Sequence, residues 1–352
     1  MKQLIGFFIA ILCVMCVDED HFGTSDYAII LNIELSSQSG TAQIFNEKDS
    51  VFVEVANGTD LSKIILKKLE ISPFATASVD VENTLDFSQG NQFVNITSES
   101  GLTRTWQIQV YEVGSEPQIE NSDFNIWYDQ GSYLDLGLDD ASSSWATSNP
   151  GVIFGGMAPN VERIEVGEGG YAAKLITRFT FMGSLVRKPI AAGSVFVGDF
   201  MEDEINIGNP QAALNMGIPF TATPTSFSVE YQYSPGEKNI DANQNELDFS
   251  DTGDIYVLLE RREADEVKRV ATAWYRIEEK SSVMENTMVN FIYGELPSGT
   301  PTYMLPQDDE TYATEGESPT HIKVVFSSSA YGDLFQGAEG STLIIDNFKL
   351  IY

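Results

Sequence analysis

Apolar residues recur at every second position through most of this chain, the period of a strand with one face in a core and the other toward water. Leu31, Ile33 and Leu35 alternate with Asn32 and Glu34, and Val51, Val53 and Val55 alternate with Phe52 and Glu54. Trp106, Ile108 and Val110 share a face opposite Thr105, Gln107 and Gln109, after the turn residues Ser100-Gly101. Further runs at 227–233, 254–260, 322–326 and 342–346 are separated by Gly, Pro, Asn and Asp, which break strands and build turns. Long helical periodicity is hard to find beyond the first residues, so the pattern predicts an all-β protein.

The turn-forming residues also divide the chain. Gly114, Ser115 and Pro117 mark a short linker over 114–118. A small antiparallel sandwich is expected over 27–113 and a larger one over 119–352, in keeping with a chain of 352 residues, longer than a usual single domain. The acidic stretches 235–254 and 297–319 read as long solvated connections, where functional groups often lie.

The first residues obey another rule. Lys2 precedes an apolar run over 4–15, which Cys16 closes before Asp18, Glu19 and Asp20. This is the charged-then-apolar order of a secretory signal, too short to span a bilayer. It resembles the lipobox and acidic export tag of surface lipoproteins in glycan-foraging Gram-negative bacteria. The resemblance implies a signal over 1–16, lipidation at Cys16, a tether over 17–26, and an outer-membrane, cell-surface lipoprotein held by its lipid alone. Met15 stands where such sequences carry Gly, Ala or Ser, Cys13 is a rival, and secretion without a lipid is the alternative.

Composition narrows the chemistry. Both cysteines, Cys13 and Cys16, lie in the signal, so the folded part has no thiol for a disulfide, a nucleophile or a metal. His21 and His321 are the only histidines, too few for a multi-imidazole site. With 52 acidic against 20 basic residues and a formal charge of −32, nucleic acid and anionic lipid are repelled. Carboxylates in such number leave a structural calcium ion as the cofactor to consider.

In the second half, motifs appear in order over most of its length: Ala172-Ala173-Lys174-Leu175 with Thr177 and Arg178; Ala192-Gly193-Ser194 with Phe196, Gly198 and Phe200; Pro219-Phe220; Tyr231-Gln232-Tyr233-Ser234-Pro235-Gly236; Asp254-Ile255-Tyr256; and Phe326-Ser327-Ser328-Ser329 followed by Gly332-Asp333, Gly340-Ser341-Thr342-Leu343 and Asp346. They resemble the putative carbohydrate metabolism domain family, which implies a jelly-roll sandwich akin to carbohydrate-binding modules and some glycosidases. One departure is Thr221-Ala222-Thr223-Pro224, where a basic residue is expected before the proline. Residues 27–113, with Ile71-Ser72-Pro73 and the run from Thr97 to Trp106, resemble the Ig-like N-terminal modules of such lipoproteins.

A glycan offers flat C–H faces and a ring of hydroxyls, so its site needs an aromatic platform flanked by amides, carboxylates or arginine. Trp145, among Ser142, Ser143, Ser144, Thr147 and Asn149, fits that description, against the alternative of capping the sandwich edge. Lys174 and Arg178 share strand parity and could face a ligand together or a solvated surface. Asp333 follows Gly332 in a turn and either caps its own backbone or acts on a ligand. Trp274, in Ala271-Thr272-Ala273-Trp274-Tyr275, reads as core, as do Tyr231 and Tyr233 beside Val229. Asp241, Asn243 and Asn245 begin like a calcium loop but lack its glycine and closing glutamate. Glu246 to Asp251 distantly resembles the acidic strand motif of jelly-roll glycosidases. The expectation is a glycan-binding surface protein, with a glycoside hydrolase using an Asp/Glu pair and a structural or adhesive protein as alternatives.

Overall fold

The computed structural model describes residues 23–352, apart from 47, 89, 115, 141, 168, 207, 264, 265 and 308. Cys16 and the signal lie outside the described residues. The chain falls into two compact units, divided between Val113 and Gly114, and both are all-β.

The first unit is a sandwich of a three-stranded and a five-stranded sheet. Its core holds the inward residues of the alternating runs, Val51, Val53, Val55, Trp106 and Ile108, and Trp106 donates its indole N–H to the Ala28 carbonyl at 3.0 Å. The strand pairing shifts register twice, at Ile30/Asn32 and at Glu34/Leu35. The first shift turns Leu31 out to solvent while Ile30 and Ile33 stay buried, as an extra residue in a strand does.

In the second unit ten principal strands form two sheets. We number them β1 (Trp145–Thr147), β2 (Val161–Val166), β3 (Gly170–Ile176), β4 (Ser194–Phe200), β5 (Ser226–Ser234), β6 (Gly253–Glu263), β7 (Glu266–Ile277), β8 (Glu285–Asn290), β9 (His321–Ser327) and β10 (Thr342–Ile351). The larger sheet runs β1-β4-β9-β6-β7, with short strands at its margins making nine, and the smaller runs β2-β3-β10-β5-β8. The side chains between them, including Val257, Val324, Phe326, Leu343 and Ile345, make one core. The expected linker is built into this unit: Gln118 bonds both ways with the backbone of Leu350, and the Tyr352 hydroxyl donates to the Pro117 carbonyl at 2.7 Å.

Two local features set the shape. Gly193 opens β4 where the chain passes so close to Ile176 and Asn160 that a Cβ would stand 2.3 Å from the Ile176 nitrogen; only glycine fits. Between β6 and β7 the register shifts at Leu259/Glu260, so Glu260 lies opposite Arg269 and Val270 is the extra residue. Val270 joins the core, and Arg269 is thrown to the outer face of the larger sheet.

Candidate functional site

Strand register builds the site. Asp254 on β6 lies opposite Arg276 on β7 and Ser327 on β9; one step along the face, Tyr256 lies opposite Trp274 and Val325; the next row holds Leu258, Thr272 and Lys323. Side chains two apart share a face, so the parity that leaves Ile255, Val257 and Phe326 in the core puts these residues together outside it. All but the buried Thr272 line the floor of a cleft of about 1110 Å³.

The floor is rigid. The rings of Tyr256 and Trp274 stack with centroids 4.3 Å apart and planes at 21°. The Trp274 indole N–H donates to Asp254 Oδ1 at 2.7 Å, and Arg276 Nε donates to the same oxygen at 3.0 Å. The Arg276 guanidinium lies 4.0 Å from the Tyr303 ring centroid and 4.8 Å from that of Tyr331, held by cation–π attraction. Tyr303 also meets Trp274 at 5.5 Å.

Those two tyrosines come from separate loops, each tied down from beneath. Tyr303 sits in the 3-10 turn Thr302–Met304. Arg269, placed by the bulge, pairs with Glu310 and donates to the Met304 carbonyl at 3.3 Å, which pins that connection to β7. Tyr331 follows Ser329, whose hydroxyl donates to the buried carboxylate of Asp251. Asp251 Oδ2 also accepts from Ser341 Oγ at 2.7 Å and the Ala338 N–H at 2.8 Å. The acidic motif ending at Asp251 therefore serves as a loop anchor.

Burial pushes the Asp254 carboxyl up to about 7, against the pull of Arg276 and the Trp274 N–H, and the charge of Asp333 raises it further. Asp333 stands exposed at the mouth of the cleft, yet crowding keeps enough water from its carboxyl to raise it too, while the Leu334 N–H, donating at 3.0 Å, works the other way. Glu260, buried between Lys323 and Arg262, is desolvated, but those two cations outweigh burial and hold it below the usual carboxylate range.

The residues singled out in the sequence fare unequally. Asp333 caps its own turn and lines the cleft. Trp145 does not line it. At 3% exposure it packs edge-on to Phe124 and Phe348 and against Phe326 between the sheets, and its indole N–H is spent on the Glu120 carbonyl. Asn149 is likewise buried, its amide bonding the backbone of Asn160 and Val161. Lys174 and Arg178 come together on one carboxylate, Glu162, at 3.9 and 3.1 Å, on the smaller sheet's side. Among the described residues no three His, Cys, Asp or Glu side chains gather as a metal would require. Asp241 instead accepts the N–H groups of Asn243 and Asn245 within its own turn.

The cleft residues missed in the sequence are Trp274, Tyr256, Arg276, Tyr303 and Tyr331. Strand parity could have found the first three, since Trp274 and Arg276 alternate with Ala273, Tyr275 and Ile277.

A family model described as Putative carbohydrate metabolism domain matches residues 115–351. Two crystal structures are similar. A putative glycoside hydrolase from Bacteroides thetaiotaomicron is 25% identical, covering 93% of this chain and 97% of that one, with a TM-score of 0.57. Another from Bacteroides vulgatus is also 25% identical, covering 67% of this chain and 99% of that one, with a TM-score of 0.51. No curated protein matches.

Proposed function

The chain belongs to the putative carbohydrate metabolism domain family, and on that premise we propose that its second unit binds a glycan in the cleft over the larger sheet. The observation that carries this reading is the clamp of Tyr303, Arg276 and Tyr331 beside the Tyr256–Trp274 stack. Aromatic rings meet the C–H face of a sugar, while Arg276, Asp254 and Asp333 offer donors and acceptors to its hydroxyls. The geometry is set before a ligand arrives, which limits the ordering cost of binding. The first unit would act as an Ig-like spacer, and lipidation at Cys16 would hold the whole at the outer surface of the outer membrane.

The test is a glycan array with and without calcium, repeated with Trp274→Ala. Binding that falls at least tenfold in the variant supports the site. Binding that is untouched moves the glycan elsewhere.

A second reading, hydrolysis, is favoured by the carboxyl pair and by the two similar structures. With its proton held to about pH 7, Asp254 would give that proton to the leaving oxygen, and the Asp333 carboxylate would direct water or attack the sugar carbon. Reducing ends released from a polysaccharide panel, and lost in Asp333→Asn, would establish it. A bound glycan that stays intact removes it.

A further inference from the structure

The cleft has a second half that a bare sugar does not fill. Beyond Arg276 its walls are Phe154, Met157, Phe181 and Met182. Its floor packs Phe200, Leu214 and Met216 against Ala146, Phe196 and Val325. The polar side chains beside that lining are already engaged, Ser148 with Asn160, Thr180 with the Lys188 carbonyl and Gln211 with the Asp333 carbonyl, so sugar hydroxyls set against it would go largely unpaired, at a cost of kcal/mol each. The cavity of about 1110 Å³ lies at or beyond the upper end of small-ligand pockets, roughly 300–1,000 Å³.

The rim is built to hold apolar groups in water. Phe154 is 61% exposed, Phe181 71%, Met182 53% and Leu334 59%, and all four line the same mouth. Isolated exposed apolar residues are ordinary, but a contiguous set beside a cleft marks a binding surface.

The backbone bends to present them. Phe181 and Met182 project from a turn closed by Ser184 N–H to the Thr180 carbonyl at 2.9 Å and Lys188 N–H to the Gly183 carbonyl at 2.8 Å. Gly183 is required there, because a Cβ would stand 2.0 Å from Thr180 Oγ1 and 2.1 Å from the Lys188 carbonyl. On the far side Phe335 adopts a left-handed conformation, φ +57°, a strained state for a bulky residue. Its ring lies 4.0 Å from Lys188 Nζ. Methionine among the phenylalanines suits a flexible aliphatic partner better than a flat one, because its side chain adapts to irregular shapes.

We propose that the ligand is a glycoside bearing an aliphatic chain, its sugar at the Arg276 end and its chain along the Phe154–Phe181–Met182 half. This rests on the glycan-binding reading and adds the class of ligand to it.

The probes are methyl, hexyl and octyl glycosides of a set of common sugars, titrated calorimetrically into the full chain below their micelle-forming concentrations. For a sugar that binds, affinity should rise two- to fourfold per methylene from hexyl to octyl, about the value of burying a CH₂ group. The rise should vanish in Phe181→Ser with Met182→Ser, both exposed positions, and methyl glycoside binding should remain. Phe154→Ser on the opposite wall should reduce the rise on its own. Equal affinities across the chain lengths overturn the proposal and leave the glycan reading standing. A rise that persists in both variants also overturns it, because the chain then lies elsewhere. If no sugar binds with any chain, the glycan reading falls and this proposal with it. A variant that instead abolishes self-association of the chain, without any dependence on chain length, assigns the rim to a second copy.

Discussion

The two sheets of the second unit present charged and polar residues outward by the same strand parity, and they differ in what lies over them. On the smaller sheet Lys174 meets Glu162, and Arg178, which lies past the end of β3 in a separate short pair with Ile190–Ala191 and so does not share its strand, meets the same carboxylate; half-exposed pairs of this kind contribute about 0–1 kcal/mol. On the larger sheet Asp254, Tyr256, Trp274 and Arg276 lie beneath Tyr303 and Tyr331. With water partly excluded, each charge and dipole there acts in a lower dielectric. The same parity gives an ordinary solvated face in one sheet and a site in the other, and the difference comes from loops anchored by Arg269 and Asp251.

Substitutions can break this contrast at several levels. The largest effect is expected between the sheets. Trp145→Ala should lower the unfolding free energy by about 3–5 kcal/mol in urea titrations, and a loss near zero would mean that the ring does not fill the core. Next is the anchor. Asp251→Asn keeps one acceptor oxygen but turns an amide NH2 toward the donors at the other, the Thr252 N–H or the three that meet Oδ2, and should cost about 1–3 kcal/mol, with weaker glycan binding because the Tyr331 loop hangs from it.

A smaller, pH-dependent effect distinguishes the carboxyls of the two sheets. Asp346 on β10 sits near Glu230 and Asp123; burial first, then those charges, lift it from 3.8 to about 6. A carboxyl raised in the folded state stabilises fully below its unfolded value, and that contribution is lost as pH climbs through 6. Asp346→Asn keeps the acceptor for the Asn347 N–H. It should therefore stabilise by about 1–2 kcal/mol at pH 8 and by almost nothing at pH 4, read as urea midpoints at the two pH values. An equal gain at both would refute the shifted carboxyl.

Binding effects complete the order. Trp274→Ala should weaken glycan affinity tenfold or more, about 1.4 kcal/mol, with a stability loss smaller than that of Trp145→Ala because its ring is only half-buried. Lys174→Ala should change affinity less than twofold, and a large loss there would move the site to the smaller sheet.

Much of the fold was legible in the sequence because burial follows a period of two. The runs at 254–260 and 322–326 are strands, and Tyr231 and Tyr233 are core, as their parity with Val229 implies. The site was harder to read. Trp145 looked exposed because serines surround it, yet Ser143 turns its polar group to the backbone, donating to the Leu136 carbonyl at 2.6 Å and accepting the Trp145 N–H at 3.0 Å, while the ring faces the core. Trp274 looked buried because alanines flank it, and the alanines are the buried face. Tyr303 and Tyr331 stand in connections with no periodicity, and their meeting at Arg276 depends on anchors distant in sequence. Sequence pattern fixes which face a strand residue takes; it does not reveal which loop covers that face.

The extra residue at Val270 carries a further consequence. From Ile277 back to Ala271 the pairing of β7 with β6 keeps step, and one additional position then exchanges the faces of the residues before it, so that Arg269 reaches outward to Glu310. Without that extra position Val270 would take the outward place opposite Glu260 and Arg269 would turn toward the core, releasing the connection that carries Tyr303. Removing Val270 itself keeps Arg269 outward, because Arg269 then pairs with Glu260 in an unbroken ladder. In the course of divergence this hairpin should therefore tolerate the loss of one residue at the bulge more readily than anywhere in the regular run from Ala271 to Ile277, where one residue fewer exchanges the faces of the positions beyond it.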